Sequence, residues 1–217
     1  HPEQIVFPYV RMSFAGLMVN PAPRKMLMIG LGGGSIPTAL MELYPDLEMD
    51  LVEVDEAVVK VAQEFFDFYP NEKANVVIVD GRVFVRRALK KNRKYDLIIL
   101  DAYNGDYIPE HLMTREFLND VKALLTPDGV VVANTFTSSR LYDYESVTYT
   151  EVFGQFMNLK MPGSGNRVII AGKNELPSQE LLRAQADYLK PRLDLYGVDL
   201  PLLVSYISRT ADWDTSA

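Results

Sequence analysis

Short apolar runs alternate along this chain with stretches whose apolar residues recur every three or four positions. The first run, "KMLMIG" at 25–30, predicts a buried strand. "LGGGS" follows, and then "IPTALMELY", a helix with Ser35 as its N-cap and Pro37 in its first turn. "LEMDLVEV" at 47–54 predicts a second strand, after which Asp55 caps a helix whose apolar face holds Val58, Val61, Ala62 and Phe65. "NVVIV" at 75–79 is a third strand, and Asp80-Gly81 leads into a helix through Val85, Ala88 and Leu89. "YDLIIL" at 95–100 is the fourth. A helix from Thr114 to Leu125 carries Phe117, Val121, Leu124 and Leu125 on one face, and "PDG" at 127–129 turns the chain into a fifth strand, "VVVAN" at 130–134. "FMNLKM" and "RVIIAG", joined by "PGSGN" at 162–166, predict an antiparallel hairpin, and a last helix starts after Pro177.

Strands that alternate with helices call for right-handed crossovers and a parallel sheet covered on both faces. The expected class is therefore α/β: a mostly parallel, doubly wound Rossmann-like sheet whose late hairpin forms the antiparallel edge typical of methyltransferase-like folds. With 217 residues and neither a repeat nor a low-complexity linker, residues 1–217 are expected to form one domain. In such sheets the ligand lies beyond the carboxyl ends of the strands. The positions that matter are then Gly30 to Ser35, Glu53, Asp80-Gly81, Asp101 to Asp106, and Asn134.

Composition narrows the chemistry. A hydrophobic share of 48% supports a sizeable core, and a net charge of −7 argues against a nucleic-acid partner while suiting a cationic substrate. The absence of cysteine excludes disulfides and Cys-based zinc sites. Two histidines, His1 and His111, leave little material for a His-rich metal centre or a Ser-His-Asp triad, and no metal is expected. The least charged stretch, Met26 to Met41, is too short for a membrane span and contains three consecutive glycines. The chain opens on His1 without a basic stretch followed by an apolar one, so no signal peptide is read and a cytoplasmic location is expected.

"GLGGGS" places glycines at 30, 32, 33 and 34. Glycines let a backbone approach a ligand closely, and the helix N-terminus behind them favours polar or anionic groups. Ser35 stands where a dinucleotide fingerprint wants its third glycine, and the G-x-G-x-G spacing of Gly30, Gly32 and Gly34 is commoner around S-adenosyl ligands. Glu53, roughly twenty residues on, can accept both ribose hydroxyls. Asp80, followed by Gly81, either meets an adenine amino group or caps its helix. Asp101 ends an apolar run, with Asn104 and Asp106 close behind, and Tyr103 and Tyr9 either wall the pocket or serve packing.

The blocks "NPAPRKMLMIGLGGGSIP", "LVEVDEAVVKVAQEFF", "VDGRVFVRRALKKNRKYDLIILDAYNGD" and "PEHLMTREFLNDVKALLTPDGVVVANTF" closely resemble, in order and spacing, the catalytic domain of spermidine synthases, the polyamine aminopropyltransferases. The likeness covers roughly residues 5 to 135 and continues more faintly to the hairpin. It implies a methyltransferase-like fold binding decarboxylated S-adenosylmethionine or its product methylthioadenosine, with the positions of Glu53, Asp80, Gly81 and Asp101 lining the nucleoside and the reaction centre. It also implies that residues 1–20 are a remnant of the family's amino-terminal β segment, and it admits a homodimer. Three positions depart from the family pattern: Gly33 replaces an acid of the glycine loop, Asn104 a catalytic base, and Pro162 a tyrosine that helps hold the amine.

Aminopropyl transfer is attack of an amine nitrogen on the carbon beside a sulfonium. The thioether departs neutral, but the protonated amine must lose a proton. Asn104 can orient an amine and cannot usefully take that proton, which leaves Asp101, or Asp106 if its loop folds inward. Methyl transfer from S-adenosylmethionine to another small acceptor needs less, since positioning alone can suffice. A nucleoside-binding protein without turnover is the third reading.

Overall fold

The computed structural model describes residues 4–103 and 107–216. The strands are β1 (Lys25–Ile29), β2 (Glu48–Glu53), β3 (Ala74–Ile78), β4 (Tyr95–Leu100), β5 (Leu125–Phe136), β6 (Met157–Leu159), β7 (Asn166–Gly172) and β8 (Ile207–Ser208). They form one sheet in the order β3-β2-β1-β4-β5-β7-β6-β8. Strands β1 to β5 pair in parallel, and β7, β6 and β8 continue the sheet antiparallel. The expected hairpin is present, and β8, a pair of residues without an apolar run of its own, is added outside it. The "PDG" turn lies within β5, where the pairing with β4 skips from Leu125 to Val130.

Helices α1 (Pro8–Ser13), α2 (Ser35–Leu43), α3 (Glu56–Phe65), α4 (Gly81–Lys90), α5 (Arg115–Leu124), α6 (Tyr142–Phe153), α7 (Gln179–Leu193) and α8 (Leu200–Val204) connect and cover the sheet. Alternation along β1 divides the core: Met26 and Met28 join one buried cluster, with Leu51, Ile99, Leu182 and Leu189, while Leu27 and Ile29 join the other, with Val85, Phe117 and Val121. Both faces are covered, which is why β1, β4 and β5 carry unbroken apolar runs at 26–29, 97–100 and 130–133 rather than alternating with polar residues. Among the described residues, no helix is long and apolar enough to cross a membrane.

Three local expectations need correction. Residues 8–18, expected within a β segment, are helical: α1 starts on Pro8, whose fixed φ and missing N–H suit a first helical turn, and a 3-10 helix at Phe14–Met18 follows. Gly34, in the left-handed conformation at φ 74°, is the N-cap of α2, and Ser35 is its first helical residue. The buried residues of α3 are Val59 and Ala62, whereas Val61 and Phe65 are exposed. Asp55 does cap α3, accepting a hydrogen bond from the Ala57 N–H at 2.8 Å.

Candidate functional site

The parallel register sets the carboxyl ends of the central strands level, with Ile29 opposite Val52 and Leu100, and Glu53 opposite Ile78. Just beyond them, Gly30, Gly32, Glu53, Asp80, Gly81 and Asp101 line one cleft. Gly34 is not among its walls; it is buried at the start of α2, where a Cβ would press on the Phe68 ring at 2.6 Å. Asn104 and Asp106 lie outside the described residues.

Two glycines of the loop are required for different reasons. Gly30, at φ +90°, donates its N–H to Val52 O at 2.8 Å, and any Cβ there would collide with the Asp101 carbonyl oxygen. It allows the end of β1 to pass directly beside the end of β4. Gly32, at φ +54°, would have open space around a Cβ, so its backbone faces room that a ligand could fill.

Glu53 is 8% exposed, and backbone N–H groups hold its carboxylate. Oε2 accepts from Leu31 at 3.0 Å, and Oε1 accepts from Val54 at 2.8 Å and Asp55 at 3.1 Å. A carboxylate offers about four acceptor positions, so Glu53 pins the glycine loop and keeps little capacity for two ribose hydroxyls. For Asp80 the capping alternative is realised: Oδ1 accepts from the Val83 N–H at 3.0 Å. Its other oxygen, Oδ2, lies 2.6 Å from Nε2 of His111. Burial alone would raise the Asp80 carboxyl, but the bonds from Val83 and His111 outweigh it and hold it below the usual carboxylate range.

Asp101 follows β4 directly. Burial pushes its carboxyl up to about 7, against the opposing effect of a hydrogen bond from Asn134. Nδ2 of Asn134 donates to Asp101 Oδ1 at 2.9 Å, and Asn134 Oδ1 accepts from Nδ2 of Asn166 at 3.0 Å. A relay of two amides thus orients the carboxylate from β5 and β7. Tyr103 lines the cleft with its ring centroid 5.0 Å from that of Phe136, and its buried hydroxyl has no hydrogen-bond partner among the described residues. Tyr9 is half-buried, and its hydroxyl pKa is raised by burial and by the nearby charge of Asp101.

Sequence pattern marks Asn134 only as a strand end and does not single out Asn166, the last residue of the "PGSGN" stretch and the first of β7. It also missed Glu145 and Arg167, which form a buried ion pair just behind the site. Arg167 also donates from Nε to Thr135 Oγ1 at 2.9 Å and from a terminal nitrogen to Ser146 Oγ at 2.6 Å. A lone cation at the head of "RVIIAG" was the available signal.

A family model described as "Spermine/spermidine synthase domain" matches residues 10–161. The chain belongs to this family. It is 51% identical over 216 residues to a polyamine aminopropyltransferase of Vibrio vulnificus, a match spanning 99% of this chain and 72% of that protein. Among solved structures, human Methyltransferase-like protein 13 in complex with SAH is similar at a TM-score of 0.80 and 24% identity, covering 87% of this chain and 93% of that one. A probable spermidine synthase from Corynebacterium glutamicum is similar at a TM-score of 0.73 and 21% identity, covering 98% and 82%. At those identities the two structures speak to the fold alone. In this member of the spermine/spermidine synthase family, Gly30, Glu53, Asp80 and Asp101 stand at or just past the ends of β1 to β4 and line the cleft.

Proposed function

We propose that this member of the spermine/spermidine synthase family transfers an aminopropyl group from decarboxylated S-adenosylmethionine to a polyamine acceptor, with the described chain serving as one S-adenosyl-ligand-binding unit. The observation that carries the reading is Asp101, a carboxyl raised to about 7 and set in the same cleft as the glycine loop. The cleft suits the nucleoside part: Gly32 leaves open space beside its backbone, and Glu53, Asp80 and Gly81 line the same walls. When bound, decarboxylated S-adenosylmethionine supplies a carbon activated by its sulfonium neighbour and a thioether that leaves without acid assistance.

The work of this chain is then positioning and proton removal. Asp101 accepts the proton that the acceptor ammonium must shed for its nitrogen to attack, a task suited to a base poised near neutral pH. The Asn134–Asn166 relay keeps the carboxylate aimed, and Tyr103 on Phe136 walls the pocket against water. Glu53 acts first on the protein itself, shaping the loop from Gly30 to Gly34, and spends its remaining acceptor capacity on ribose.

Calorimetric titration with S-adenosylmethionine and with its decarboxylated form tests the proposal, together with a putrescine turnover assay. Tighter binding of the decarboxylated ligand with conversion of putrescine is expected. Preference for the carboxylated ligand without putrescine turnover would move the assignment to methyl transfer.

A further inference from the structure

His111 has no part in the mechanism above, yet among the described residues it makes a short side-chain contact to an acid of the cleft. Its Nε2 lies 2.6 Å from Asp80 Oδ2, and both residues line the cleft. Asp80 Oδ1 is committed to the Val83 N–H at 3.0 Å. The carboxylate is therefore held from two sides, by the Val83 and Arg82 backbone at the start of α4 and by the imidazole at Oδ2. The backbone around the pair is tied as well. Arg82, two residues after Asp80, donates from a terminal nitrogen to the His111 carbonyl oxygen at 3.2 Å and to Thr114 Oγ1 at 3.4 Å. At Gly81 a Cβ would meet Ile29 at 2.5 Å and Leu112 at 3.5 Å, so the 3-10 turn Glu110–Leu112 is seated directly on residues 80–82.

We propose that His111 is a positioning residue for base recognition: by donating from Nε2 it fixes the Asp80 carboxylate so that the free lone pair of Oδ2 receives the exocyclic amino group of an adenine base. This rests on the reading of the cleft as a nucleoside site. An ionised carboxylate oxygen has room for two donors, so the imidazole and the base amino group can bind it together. The arrangement selects for a donor at position 6 of the purine. A 6-oxo base presents an acceptor there and faces the carboxylate unfavourably. Without the imidazole, Asp80 keeps its helix cap but is free to turn Oδ2 toward solvent, for its side chain is 34% exposed.

Isothermal calorimetry of 5′-methylthioadenosine and 5′-methylthioinosine, which differ in the amino or oxo group at that position and in the N1 proton that accompanies the oxo form, tests the assignment on the parent protein, His111→Ala and His111→Gln. The parent should prefer the adenine nucleoside by about tenfold or more, the scale of one charge-assisted hydrogen bond. In His111→Ala the preference should collapse toward parity through loss of adenine affinity, with the inosine analogue little changed. His111→Gln, whose amide can donate to Asp80, should restore part of the preference. If His111→Ala weakens both nucleosides equally, the residue merely supports the cleft wall and the inference is overturned. An unchanged preference in His111→Ala overturns it too. Equal binding of both nucleosides by the parent sinks the inference and leaves the nucleoside reading standing, whereas binding of neither sinks both.

Discussion

Asp101 is a carboxyl whose surroundings favour its neutral form, because burial raises its pKa to about 7 and one amide from Asn134 offsets only part of that. The sign of the resulting pH dependence follows from proton counting. Between the unfolded carboxylate value and about 7 the folded state holds the extra proton, so this contribution to stability is present in acid and is lost as pH rises through that window. Some three pKa units set a ceiling of about 4 kcal/mol, which residual solvent contact lowers. Asp101→Asn should accordingly raise the thermal midpoint at pH 8 relative to the parent and change it little at pH 4, as read by calorimetry. Catalysis should respond in the opposite sense: kcat/KM climbs with pH as the base ionises near 7, and the variant loses that limb together with about 10²- to 10⁴-fold in rate. A variant that keeps both the limb and the rate would remove Asp101 from the reaction centre.

At the scale of elements, the loop from β1 to α2 depends on a backbone that only glycine tolerates. Gly30→Ala combines an unfavourable positive φ with a collision against the Asp101 carbonyl, and neither the end of β1 nor the end of β4 can retreat without breaking parallel pairing. A loss of about 2–4 kcal/mol in urea unfolding is expected, with nucleoside affinity falling alongside. Gly32→Ala, whose Cβ meets nothing, should cost less in stability. Helix α3 shows where pattern reading fails. Val58, Val61, Ala62 and Phe65 share one broad apolar arc with Val59 at its edge, and helical spacing alone does not say which side of that arc faces the sheet. Packing chose Val59 and Ala62, leaving Val61 and Phe65 exposed and Val58 beside the cleft.

Across the whole molecule, β7 is bonded to the rest of the site by two polar networks one residue apart. Asn166 reaches Asn134 and through it Asp101, while Arg167 reaches Thr135, Ser146 and Glu145. Arg167 is fully buried, and its guanidinium also lies 3.9 Å from the centroid of the Tyr142 ring. A buried charge is tolerable only with its partner, so Arg167→Met should cost about 3–5 kcal/mol by leaving Glu145 unpaired. The double variant Arg167→Met with Glu145→Gln should recover much of that loss in the same denaturation assay. Additive losses would show that the pair matters through packing rather than through charge.

Sequence periodicity determined the succession of strands β1 to β7 with helices α2 to α5 and α7, and with it the sheet class, the level row of strand ends and the candidacy of Glu53, Asp80 and Asp101. These are local properties: alternation of burial, caps and glycine turns act within a few residues of themselves. What the acids do was decided by tertiary structure. Glu53 turns to the glycine loop 22 positions back, Asp80 finds His111 31 positions on, and Asp101 finds Asn134 33 positions on. Those partners meet only because separate strands end level and separate turns pack together, and a side chain's orientation and proton affinity depend on such neighbours rather than on its own stretch of chain.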